Sequence, residues 1–141
     1  MTGRTEGGNA HPLRDSFFEF YIGGGAASPL YVKIHDGTLH CEQPSGDRFS
    51  GEVQTLAPDP GAWAAFCDAL DRIGVRDWEP EYAAPHGCSD VTYWYLRLET
   101  DGCVVASCGA DAYPPGGSGG PTEPFREFVA AVRRFIGACS R

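Results

Sequence analysis

With 141 residues, 42% of them hydrophobic, the chain is sized for one domain that buries roughly two thirds of its unfolded surface, so folding needs neither a metal nor a disulfide. The formal net charge is −8; from Thr122 onward Glu123 and Glu127 stand against Arg126, Arg133, Arg134 and Arg141, a local +2 that leaves −10 on the remainder. Lys33 is the sole lysine, and neutralising phosphates takes clustered Lys and Arg, so nucleic acid is not expected as the main ligand.

An acidic surface of this kind suits a basic protein partner, and it also serves solubility. Six cysteines would build a disulfide framework in a small secreted chain. The leading residues, however, hold no apolar segment of signal-peptide length, and nothing approaches the roughly 18 apolar residues of a membrane span. The expectation is a cytoplasmic protein without membrane association, its thiols reduced and buried as small apolar groups.

In chain order, residues 1–15 read as a flexible polar leader and 16–141 as a single domain. Phe17 to Ile22 has strand composition and stops at Gly23-Gly24-Gly25. Leu30 to His35 and Thr38 to Gln43 flank Asp36-Gly37, a pair that takes the positive φ values of a tight hairpin turn and sets residue i opposite residue 73 − i. That register puts Leu30, Val32, Ile34, Leu39 and Cys41 on one face and Tyr31, Lys33, His35, Thr38, His40 and Glu42 on the other. After a turn at Pro44 to Asp47, Phe49 to Leu56 reads as a fourth strand, interrupted at Gly51.

Asp59, Pro60 and Gly74 mark the two ends of a helix whose buried stripe is Trp63, Phe66, Cys67, Leu70 and Ile73. Residues 90–114 predict a second hairpin about Asp101-Gly102 that runs into a Gly-rich loop. A terminal helix is expected from Thr122, with Phe125, Phe128, Val129, Val132, Phe135 and Ile136 on one face and Gly137 at its end. The order ββββαββα predicts an α+β domain: an antiparallel sheet of about six strands with both amphipathic helices on one face.

Several short motifs lie along this frame. They are Phe18 and Phe20 with the run Gly23 to Gly25, Trp63 and Phe66, Trp78 and Tyr82, Asp90 with Thr92 and Trp94, and Gly109 with Ala112, Tyr113 and Pro114. Together they resemble a family of small bacterial proteins with an F-x-F strand, a W-x-x-x-Y element, a D-G-T-x-W strand start and a G-x-N-A-Y-P turn. Val91 replaces the Gly of that pattern and Asp111 its Asn. The resemblance implies a fold and carries no reaction with it.

The chemically richest loop is His86-Gly87-Cys88-Ser89-Asp90. A cysteine nucleophile needs a base within hydrogen-bond reach, and Cys88 and His86 are only two residues apart, so an enzyme using Cys88, His86 and Asp90 competes with a plain surface loop in which Asp90 closes a turn. For a metal, His35 and His40 share the polar face as diagonal neighbours roughly 7–8 Å apart at Cα, with solvated strand histidines as the simpler reading. Cys103 and Cys108 fall on opposite faces of one strand and cannot share an ion there. The glycine runs lack the Gly-Lys-Ser/Thr ending of a phosphate loop, and no cofactor is expected.

The segment Asp77-Trp78-Glu79-Pro80-Glu81-Tyr82 sets two aromatics among carboxylates, the composition of a protein-interface anchor. Asp77, Trp78, Glu79, Glu81 and Tyr82, joined by Asp90, are therefore the expected binding surface. The leading expectation is an acidic binding domain, of inhibitor or immunity type, that neutralises a basic protein. Its competitors are the Cys/His enzyme and a structural subunit that self-associates through strand edges.

Overall fold

A computed structural model describes residues 13–25, 27–42, 44–45, 48–49, 51–83, 91–100, 103–115 and 120–139. Strands β1 (Phe17–Gly23), β2 (Leu30–His35) and β3 (Thr38–Glu42) form an antiparallel meander. A two-stranded ribbon of β4 (Pro44–Ser45) and β5 (Arg48–Phe49) precedes β6 (Gln54–Leu56), which closes one sheet edge against β3. Helix α1 (Pro60–Ile73) and a 3₁₀ turn (Val75–Asp77) carry the chain to β7 (Glu81–Ala83) at the opposite edge. Strands β8 (Tyr93–Thr100) and β9 (Cys103–Ala110) fill the gap between β1 and β7, and α2 (Glu123–Gly137) ends the chain's regular structure. The sheet order is β6-β3-β2-β1-β8-β9-β7.

The class is α+β, as the element order implies, but the sheet has seven strands and is mixed: β7 runs parallel to β9 through Cys108↔Glu81, Gly109↔Tyr82 and Ala110↔Ala83. The expected all-antiparallel arrangement of about six strands gives way because the chain leaving α1 lies along the free edge of β9 for three residues. Gly51 also does more than interrupt a strand; only Gln54–Leu56 of the expected fourth strand joins the main sheet. Leu13–Asp15, inside the stretch read as a leader, forms a 3₁₀ turn with Leu13 packed on the core.

The hairpin register follows the predicted rule, with Tyr31↔Glu42, Val32↔Cys41 and Lys33↔His40 paired, and Asp36 and Gly37 take φ values of 52° and 74°. Asp59 caps α1 by accepting from the Ala62 amide at 2.8 Å, and the helix ends on left-handed Gly74. Thr122 caps α2, and that helix ends at Gly137 as expected, with Ala138 as a right-handed C-cap. Cys103 and Cys108 do take opposite faces, the first packed on the core and the second exposed.

Both helices cover one face of the sheet. Phe18 meets Phe66 of α1 at 5.1 Å and Phe20 meets Phe128 of α2 at 4.9 Å between ring centroids. Trp63 and Trp94 are the largest fully buried side chains. Of these two, Trp94 has an indole partner, since Nε1 donates to the Ala112 carbonyl at 2.9 Å, whereas among the described residues the buried Trp63 Nε1 has none. The Trp94 bond exists because position 109 has no side chain; a Cβ there would lie 2.3 Å from Trp94 Nε1 and 2.5 Å from the Ala112 oxygen. The expected outcome in urea denaturation is that Gly109→Ala costs about 3 kcal/mol, from overpacking plus a broken bond, while Gly120→Ala, with open space around it, costs less than about 0.5 kcal/mol. Trp94→Phe should cost about 1 kcal/mol more than Trp63→Phe, since only the former strands a carbonyl.

Candidate binding surface

The acidic segment lies where α1 hands over to the sheet edge. Asp77 ends the 3₁₀ turn and is exposed, as are Glu79 and Glu81. Among the described residues none of the three has an ion-pair partner; the neighbouring Arg76 is engaged with Asp71 at 3.2 Å. The segment is held rigidly from below. The Glu79 amide donates to Tyr82 Oη at 2.8 Å, Ser107 Oγ donates to the Glu79 carbonyl at 2.6 Å, and the Cys108 amide donates to the Pro80 carbonyl at 3.0 Å. Such a tether holds the backbone that carries the carboxylates, which leaves less loop entropy to lose on binding.

The two aromatics of the segment face inward. Tyr82 is 8% exposed and stacks on Trp94 at 6.2 Å, and half-buried Trp78 packs against Trp94, Phe125 and Phe128. Their outer parts still line a cleft of about 260 Å³ together with Asp77, Glu79, Pro115 and Pro124. Here a carboxylate rim and an aromatic floor sit side by side. Asp90, Cys88 and His86 lie outside the described residues.

His35 and His40 share the open face as diagonal neighbours, and each has its own partner. His35 Nε2 lies 3.4 Å from Asp36 Oδ2 and its ring meets the Phe17 edge, while His40 Nδ1 is 3.3 Å from Thr55 Oγ1, with Lys33 directly opposite on β2. Among the described residues no group of three His, Cys, Asp or Glu gathers as a metal site would.

The open face of the sheet carries a feature that the motif search passes over. Cross-strand pairing lines up Tyr31, Tyr21, Tyr95 and Cys108 in one row, with Glu19 in the next row flanked by Lys33 and Arg97. Tyr31 Oη donates to Glu19 Oε2 at 2.5 Å, and Tyr21 stacks on Tyr95 at 5.7 Å. Tyr93, 57% exposed, stands beside them at the end of the sheet. The period-2 alternation Tyr93, Tyr95, Arg97, Glu99 against Trp94, Leu96, Leu98 was the available signal.

Burial first, then the bond to Glu19, pushes the Tyr31 phenol above its ordinary value of 10.0, and the same causes raise Tyr95. Protonated phenols of this kind contribute stability that is full below the unfolded value and is lost as pH rises through the folded one. No protein-family model and no curated protein matches the chain. No helix of the described residues is long and apolar enough to cross a membrane.

In an ultraviolet phenolate titration, Tyr31, Tyr95 and Tyr113 should ionise above the ordinary value of 10.0. Glu19→Gln should bring Tyr31 part of the way back toward 10.0, leaving the share due to burial. Ionisation of Tyr31 and Tyr95 at 10.0 or below would refute this arrangement.

Proposed function

We propose that the chain is a small acidic binding domain, of inhibitor or immunity type, that neutralises a basic protein partner. The observation that carries this reading is the set of three exposed carboxylates, Asp77, Glu79 and Glu81, without ion-pair partners among the described residues and fixed on a buried aromatic support. Fixed charge of one sign around an aromatic cleft steers an oppositely charged surface toward it and raises the association rate. The net charge of −8 adds to the same field. Trp78 and the accessible rim of Tyr82 supply apolar area at the centre of the contact, with Asp77 and Glu79 beside it and Glu81 on the neighbouring edge of the sheet.

Charge variants test this more sharply than aromatic ones, because Trp78 and Tyr82 also hold the core together. Immobilised wild-type protein and the triple variant Asp77→Asn/Glu79→Gln/Glu81→Gln are to be compared in capture from the native lysate, with retained proteins identified by mass spectrometry at stepped salt. The expected result is one basic protein, held by wild type, released by salt, and bound about tenfold or more weakly by the triple variant. Equal retention by the two proteins would sink the reading.

A further inference from the structure

Around the edge strand from the acidic cleft lies a second groove, of about 350 Å³, on the open face of the sheet. Tyr21, Tyr93 and Tyr95 wall it, Cys108 and Ala110 form its floor, and Glu81 stands at its rim. We propose that this groove receives an arginine side chain of the basic partner, the guanidinium lying against the tyrosine rings and pairing with Glu81. The proposal rests on the reading of the chain as a binder of a basic protein and names the group that it grips.

The assignment follows from which charges on this face are already engaged. Among the described residues the Lys and Arg of this face are Lys33 and Arg97, and neither lines the groove. Lys33 Nζ lies 5.8 Å from the Phe17 ring centroid, and Arg97 Nε is 2.6 Å from Glu99 Oε2. Phe17 at the far end of the face thus has a cation, while among the described residues no Lys or Arg lines the tyrosine groove, and Glu81 there has no ion-pair partner among them. Electron-rich ring faces beside an uncompensated carboxylate are complementary to a cation. Arginine suits them better than lysine because a planar guanidinium stacks on an aromatic ring while its N–H fork meets a carboxylate in two bonds. The floor is low, since Ala110 carries only a methyl group and leaves room above the β9 backbone for the methylene stem.

The test titrates N-acetyl-arginine amide into the intact protein and follows tyrosine ring and tryptophan indole resonances by NMR, with N-acetyl-citrulline amide as the uncharged isostere. Saturable shifts at Tyr93 and Tyr95 are expected with the arginine probe and at least about threefold weaker binding with citrulline. Tyr93→Ala and Glu81→Gln, both changes of exposed side chains, should each weaken the arginine probe about two- to fivefold. Equal binding of the two probes, no saturable shift, or shifts confined to the Trp78 indole would overturn the proposal. Loss of arginine binding here would leave the capture experiment untouched, and a failed capture with intact arginine binding would count against the partner reading alone.

Discussion

The Trp94 indole reaching past Gly109 to the Ala112 carbonyl is the bond on which one whole end of this domain depends. Several elements converge on that ring. It packs on Phe125 of α2 at 4.9 Å, on Tyr82 of β7 at 6.2 Å and on Trp78 at 6.1 Å. Around it the chain ties itself shut: the Thr92 amide donates to Asp111 Oδ1, the Asp111 amide donates back to the Thr92 carbonyl, and Thr92 Oγ1 donates to the Gly24 carbonyl. Asp111 adopts a φ of 51°, a conformation that Asp and Asn tolerate better than other residues with a side chain. The Asp that departs from the resembled turn pattern therefore keeps the property the backbone needs.

This node explains how a three-residue edge strand holds its place. An isolated parallel pairing of that length has little stability of its own. Here β7 is secured by side chains as well as by its ladder, through Tyr82 under Glu79 and Ser107 against the Glu79 carbonyl. The carboxylates above it are thereby fixed by groups buried below. Strand β8 serves both sides of the sheet: Trp94, Leu96 and Leu98 enter the core, while Tyr93 and Tyr95 line the groove on the opposite face.

Much of the frame was legible in the sequence because local chemistry specifies it. Asp36-Gly37 set the β2–β3 register to the residue, Asp59 and Pro60 opened α1, and Thr122 opened α2. What was not legible depends on distant packing. Glu81–Ala83 is too short to show alternation, and its pairing with β9 is decided by where α1 delivers the chain. The aromatics of Asp77–Tyr82 look exposed by their charged neighbours, and only the position of Trp94 turns their rings inward. The tyrosine face was written in the alternation of β8, yet its meaning required knowing that both helices lie on the other side. His35 and His40 were placed on one face correctly, and the separate partners of each could not be read from spacing.

The coupling between the Trp94 node and the acidic corner is tested most directly by hydrogen–deuterium exchange on the folded Trp94→Phe variant. The amides of Glu79, Thr92, Cys108 and Asp111, all hydrogen-bonded around the node, should exchange about tenfold or more faster than in wild type, while Gly74, bonded to Leu70 in the α1 cap, keeps its protection. Unchanged protection at Glu79 and Cys108 would mean that the corner stands without the tryptophan, and the dependence argued above would be wrong.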